Sequence, residues 1–326
     1  MPTSSYGSND DRHLGDTDIQ LQLEQRLGQV HARQRLGMES EPESHLFGGG
    51  GGFVHLENWH AAHSLIRTVL RLTGLYGRGQ RNALNIRLVN HPVSLPHLPR
   101  SFVGMRILHL TDLHIDMSSE IAHAIIERVR DVDYDLCVLT GDYRFRSSGD
   151  IRPTLQCMER LRASLNEPVY AVLGNHDSIR MLPELEGMDI RVLMNEHVEI
   201  RRGVDAIYLA GIDDAHFFGV GNIHKALAEV PIEAVSILLS HTPEVYRQAA
   251  HAAVDLLLCG HTHGGQICLP GGHPVTLDAR IPRRMGRGRW RFQHMIGYTS
   301  PGAGTSIVGV RLNCPPEVTV HTLKLG

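Results

Sequence analysis

The sequence predicts an α/β domain in which buried strands alternate with helices. Three observations carry this expectation. Five apolar runs, at residues 105–110, 135–139, 168–173, 235–239 and 254–258, are short and strand-like. Patterns of helical spacing lie between several of them, and such alternation makes a layered sheet covered by helices. Each run leads directly into a loop bearing Asp, Asn or His. In layered α/β folds, functional groups collect at the carboxyl ends of strands.

Taken in order, residues 1–52 are polar and end in five glycines, Gly48 to Gly52. That composition predicts a disordered tail and flexible linker, with a short helix near residues 18–36. Residues 53–80 read as a basic amphipathic helix. Leu56, Trp59, His63, Ile66, Val69, Leu70 and Thr73 recur at helical spacing, and Arg67, Arg71, Arg78 and Arg81 supply charge. Such a helix either lies in a membrane interface or packs on the back of its own domain, and it is too charged to span a bilayer. The folded domain is expected over residues 84–326. A strand at 85–89 and a proline-rich extended connector at 92–99 precede the five apolar runs. Helices are expected at 119–132, where Ser118 or Ser119 is the N-cap, at 153–165, and after Thr242, where Pro243 takes the first helical position. Residues 211–216 read as a structural turn.

Composition narrows the function classes. The chain has 326 residues, 42% apolar and 21% charged, an ordinary globular balance. A formal net charge of −3 argues against a nucleic-acid partner held by bulk charge. Five cysteines without a CxxC pair exclude a zinc finger and predict no disulfide framework. Cys137 and Cys259 sit inside apolar runs and read as reduced core residues. No secretory signal and no 18-residue apolar run is recognisable, so the expected location is the cytoplasm.

The polar loops hold seven candidate ligands: Asp112, His114, Asp142, Asn175, His241, His261 and His263. Carboxylate, imidazole and amide donors without thiolate suit borderline divalent ions such as Mn²⁺, Fe²⁺ or Zn²⁺. The set is too large for one tetrahedral ion and right for two ions sharing a carboxylate. Two ions about 3.5–4 Å apart can hold a hydroxide between them and clamp both oxygens of an in-line phosphoryl displacement. His176 beside them can bind phosphate or protonate the leaving oxygen, and Asp177 is expected to fix its tautomer.

The order Asp112-x-His114, Gly141-Asp142, Gly174-Asn175-His176-Asp177, His241, Gly260-His261-x-His263 resembles the calcineurin-like metallophosphoesterases over about residues 100–270. The resemblance implies a four-layer sandwich of two mixed β-sheets flanked by helices; the apolar stretches 307–312 and 318–323 themselves read as closing strands of the second sheet. It implies that Asp112, His114 and His263 bind one metal, Mn²⁺ being favoured. Asn175, His241 and His261 would bind the other, Asp142 would bridge, and His176 would be catalytic. Leu95-Pro96-x-x-Pro99 and the longer Gly-His-Thr-His-Gly-Gly-Gln ending resemble a bacterial branch of the family. It includes membrane-associated phosphodiesterases and a UDP-2,3-diacylglucosamine pyrophosphatase of lipid A biosynthesis.

Two features bear on substrate. Residues 280–292 carry six arginines with Trp290 and Phe292, and Arg283 and Arg284 are expected to reach the metal site as phosphate contacts. Arg144, two residues past Asp142, is a better-placed contact. The expected function is hydrolysis of phosphodiester or pyrophosphate bonds, with a phospholipid or nucleotide-glycolipid substrate at the inner membrane surface. The alternatives are a soluble nucleotide phosphodiesterase or protein phosphatase and, more remotely, an inactive binding scaffold.

Overall fold

A computed structural model describes residues 10–41 and 60–326, apart from the side chains of 10–16 and 60–63. Two six-stranded sheets stack face to face. The first has the order β1-β14-β2-β3-β4-β5, with β1 Arg87–Leu95, β2 Arg106–Leu110, β3 Leu136–Thr140, β4 Val169–Val172, β5 Ile190–Val192 and β14 Glu317–Leu325. The second has the order β12-β13-β9-β8-β7-β6. Its strands are β6 Glu196–Arg202, β7 Asp205–Gly211, β8 Ser236–Leu239, β9 Leu256–Cys259, β12 Gly288–Phe292 and β13 Met295–Thr299. A small hairpin pairs β10 Cys268–Leu269 with β11 His273–Pro274.

Both sheets are mixed. β2, β3, β4 and β5 run parallel while β14 is antiparallel to β2; β13, β9, β8 and β7 run parallel between antiparallel edges β12 and β6. The period-2 alternation of each strand splits its side chains between two cores. Ile107, Val138 and Val172 face Leu209, Ile237 and Leu258 across the inter-sheet layer. Leu108, Leu139 and Ala171 face outward. There they meet α5 Ser119–Val129, α6 Arg152–Arg162 and α7 Leu182–Gly187. On the far side, α8 Ile223–Ala226 and α9 Tyr246–His251 cover the second sheet. The arrangement is the four-layer sandwich.

Three expectations change. Residues 318–323 form most of β14, but β14 lies in the first sheet, between β1 and β2, not in the second. Residues 307–312 are not a strand and make only an isolated bridge, Ile267 to Leu312. The proline-rich connector is half strand, since β1 runs through Pro92 to Leu95 beside β14.

The amino-terminal reading changes more. The helix expected near residues 18–36 is present and longer, as α1 Asp10–Leu27 and α2 Gln29–Ser40, so this stretch is not a disordered tail. Leu23, Leu27 and Ala32 are buried in the outer core of the first sheet. Residues 42–52 lie outside the described residues. So do 53–59, which include Trp59. The rest of the expected amphipathic segment forms α3 His60–Leu72 and α4 Leu75–Leu84. Leu70, with Ile66 and Tyr76 beside it, packs on Val308, Val310 and Leu312. Leu65, Val69 and Leu72 stay exposed at 64%, 48% and 83%.

Candidate metal centre

The loops after β2, β3, β4, β8 and β9 meet where the carboxyl ends of both sheets face each other. Within the first sheet, Asp112 N donates to Gly141 O and His114 N to Asp142 O, each at 3.0 Å. Two links cross to the second sheet. His261 N donates to both carboxylate oxygens of Asp112 at 3.0 Å, and His241 Nδ1 donates to Thr140 O at 2.7 Å.

These loops are tightly wound. Asp112, His114, Asp142, His261 and His263 have φ of 50°, 38°, 57°, 69° and 50°. Left-handed backbone costs an ordinary residue roughly 1–2 kcal/mol, least for Asn, Asp and His. Close approach also demands glycine at two places. A Cβ on Gly174 would strike the Asp142 carboxylate, and one on Gly260 would strike Thr111 and the Asp112 carboxylate.

All seven candidate ligands come together. Asp112, His114 and His263 form one buried group and Asp142, His241 and His261 another, each with donor atoms within 4.8 Å of one another. Asn175 joins the second, its Oδ1 lying 3.0 Å from His241 Nε2. Asp142 faces both groups through one oxygen. Its Oδ2 is 3.3 Å from His241 Nε2 and 3.8 Å from His114 Nε2.

The donor set fits metal ions. Bonds of about 2.0–2.2 Å hold neighbouring donors roughly 3.0–3.6 Å apart. Here His114 Nε2 and His263 Nε2 are 3.1 Å apart, His263 Nε2 and Asp112 Oδ1 3.5 Å, and His261 Nδ1 and His241 Nε2 3.2 Å. His241 states the demand most clearly. Its Nδ1–H is taken by Thr140 O, so Nε2 is left facing the oxygens of Asn175 and Asp142, where a positive charge, either a proton on the ring or a metal ion in its place, satisfies all three.

The electrostatics agree. Burial would lower His241, but the Asp142 and Asp112 carboxylates override it and lift the group to about 10. Burial pushes Asp112 up to about 7 against the pull of His241. Asp142 stays well below the usual carboxylate range despite burial, because His241, His176 and His114 surround it. Burial first, then cationic neighbours, hold His261 and His263 well below the imidazole range. Both are therefore neutral, the form that ligates. A third group, His216, His261 and Asp278, shares His261 with the second.

His176 sits at the rim, 8% exposed, with its ring 5.0 Å from that of His114. Its backbone N donates to Asp142 Oδ1 at 3.0 Å. Its Nδ1–H donates to Phe145 O at 2.9 Å, so a carbonyl fixes the tautomer. Asp177 does not. Its buried carboxylate accepts from four backbone N–H groups, those of Asp142, Tyr143, Arg144 and Gly174, at 2.7–3.2 Å. It staples the β3 loop to the β4 loop, a role that adjacency in sequence to His176 conceals.

The arginines divide. Arg144 is 2% exposed, donates to His176 O and Gly149 O, and keeps a buried Nε without a partner. Arg283 and Arg284 are exposed, and Arg283 donates to Pro274 O instead. Residues 288–292 are an edge strand whose Trp290 belongs to the outer core of the second sheet. The backbone of Gly286 reaches the His-x-His loop, accepting from Thr262 Oγ1 at 2.7 Å, and the Arg287 side chain packs beside Gly264. Sequence reasoning missed Arg311. It is fully buried, donates to Pro301 O and Gly304 O, and lies 3.3 Å from His263 Nδ1. No motif surrounds it.

Two sheets that deliver Asp, His and Asn from five strand ends define a metallophosphoesterase, and comparison agrees. The calcineurin-like phosphoesterase family matches residues 105–265. The chain belongs to this family and is a hydrolase of phosphate esters. It is 30% identical over 229 residues to YkoQ of Bacillus subtilis, an uncharacterized metallophosphoesterase, covering 67% of this chain and 83% of that one. It is also 30% identical over 241 residues to the phosphodiesterase YaeI of Escherichia coli, covering 67% and 82%. A Danio rerio transmembrane protein with a metallophosphoesterase domain is 29% identical over 279 residues, and there the chain spans 61% of the relative's length. Among the described residues, no helix is long and apolar enough to cross a membrane.

Proposed function

We propose that this chain is a dinuclear-metal phosphodiesterase or pyrophosphatase. The observation that carries the reading is Asp142, whose Oδ2 faces both donor groups at once. Asp112, His114 and His263 would hold one divalent ion, Mn²⁺ being favoured. Asn175, His241 and His261 would hold the other, and Asp142 would bridge. The ions would supply an activated water and charge neutralisation at the phosphoryl group. The chain supplies the rest. His176, oriented by Phe145 O, presents Nε2 at the rim to the phosphate or to the departing oxygen. Arg144 brings a guanidinium fixed by two carbonyls beside the same position. The name of the similar YaeI, a phosphodiesterase, favours diesters over monoesters.

The finer part of the proposal is the substrate: a lipid-type phosphodiester or diphosphate, of the UDP-diacylglucosamine kind, met at an inner membrane surface. Exposed Leu65, Val69 and Leu72 beside Arg67 and Arg71 on α3 support surface attachment. The deciding experiment compares bis(p-nitrophenyl) phosphate with the monoester in Mn²⁺ and measures metal content. Diester cleavage with about two metals per chain supports the reaction; no bound metal overturns it. Flotation with anionic vesicles tests attachment, and turnover of nucleotides without vesicle binding would replace the lipid reading.

A further inference from the structure

A cleft of about 970 Å³ opens beside Arg144 and Ser178, within the 300–1,000 Å³ common for ligand sites. One wall comes from the metal-site loops, through Arg144 and Ser178; another from Phe217 and Phe218; the third from the carboxyl end of α2, through Leu36 and Met38. The last is unexpected, because α2 lies far from the metallophosphoesterase match in sequence.

The helix is not loosely laid there. Arg35 is fully buried, its guanidinium 3.3 Å from the Phe218 ring centre and donating to Asp177 O at 2.9 Å. Glu39 accepts from Ser178 Oγ and Ile179 N, both at 2.7 Å. His31 Nε2 meets Asp213 Oδ2 at 2.8 Å. On α1, Arg26 pairs with Glu186 and Glu196. Every anchor on α2 lands within a few residues of the candidate site or the Phe217 loop. The cleft they complete has a mixed lining. The buried Nε of Arg144 has no partner, Leu36, Met38, Phe217 and Phe218 give an apolar patch, and charged and hydroxyl side chains, among them Glu41, Arg152 and Arg180, form the rest of the lining.

Resting on the phosphodiesterase reading, we infer that α2 is a specificity element, and that the cleft takes the apolar substituent of a phosphodiester whose phosphate lies between Arg144 and His176. Apolar groups gain by leaving water in proportion to area, and a fitted pocket discriminates by about tenfold or more per alkyl increment.

The test uses the full chain with Mn²⁺ and two diesters sharing one leaving group: methyl and octyl p-nitrophenyl phosphate, the latter below its micellar concentration. The readout is the octyl-to-methyl ratio of kcat/KM within each protein. The expected wild-type ratio is about tenfold or more. Met38→Asp and Phe217→Ser, on opposite walls, should each lower it to below about threefold, with folding checked by thermal melts. A wild-type ratio near one, or a ratio neither variant moves, overturns the inference. If neither diester is cleaved, calorimetry with octylphosphonate and methylphosphonate decides. Tighter octyl binding that both variants weaken keeps the cleft while the reaction reading fails, and equal binding rejects the cleft.

Discussion

Asp142 Oδ2 stands 3.3 Å from His241 Nε2 and 3.8 Å from His114 Nε2, so one oxygen serves two donor groups, each of which draws residues from both sheets. Removing its charge should therefore unmake both sites together. Asp142→Asn is expected to lower metal content below one ion per chain and diester activity by about a hundredfold or more. Retention of two metals with full activity would end the bridging assignment.

His176 separates chemistry from metal holding. Its ring is oriented by Phe145 O and stacks edge-on to His114, outside both donor groups. His176→Ala should reduce kcat by about 10²–10⁴-fold while metal content and melting temperature stay near wild type. A loss of metal in step with activity would make it a ligand instead.

Asp177 calls for the opposite result. With four backbone N–H groups on one buried carboxylate, Asp177→Asn leaves donors facing an amide. Bonds to charged groups contribute about 1.5–3 kcal/mol each. The expected loss is on the order of 3 kcal/mol in stability, read by urea melts, with the pH–rate profile of the remaining folded enzyme unchanged in shape. A shifted profile would restore a catalytic role.

A buried chain of histidines sets an acid limit. His91 Nδ1 meets His321 Nδ1 at 2.9 Å, and His109 bonds both His321 and Thr140 between the sheets. Burial lowers His109 from 6.5 to about 3 and His91 to about 4. The unfolded chain binds these protons near 6.5 and the folded chain does not. Stability is thus full above about pH 6.5 and falls as pH drops through 4 toward 3. The slope is about 1.4 kcal/mol per pH unit for His109. Urea melts in chelator at pH 7.5 and 5 should show the decline, and His109→Gln should shrink it.

The five strand-to-loop units are legible because buried strands read as continuous apolar runs and because metal donors are rare residue types to find in that order. What escapes is information the local pattern does not contain. The β-branched run Val318, Thr319 and Val320 announces a strand, but not which sheet accepts it. A helix near residues 18–36 is legible, but its docking on the domain is not, because α1 and α2 are held through Arg26, His31, Arg35 and Glu39 as well as through Leu23, Leu27 and Ala32. Ion pairs formed with partners more than a hundred residues away leave no local periodicity. Asp177 and Arg283 mislead for a related reason: nearness in sequence says nothing of where a side chain's hydrogen bonds go.

Arg35 illustrates the strength of that docking. Arg35→Leu would leave the buried Asp213 carboxylate without its guanidinium, held by His31 and the Asp214 N–H, and losing one partner of a buried pair costs about 3–5 kcal/mol. Hydrogen exchange should then show α1 and α2 opening while the sheets remain protected. Unchanged protection of α2 would contradict the anchoring.

The left-handed backbone at Asp112, His114, Asp142, His261 and His263 channels how this protein can drift. The side chains such a backbone accepts most readily, apart from glycine, are Asp, Asn and His, and all three carry an oxygen or nitrogen donor. Mutations that spare the fold at these positions therefore tend to exchange one ligand for another. They retune the centre for a different ion more readily than they extinguish it.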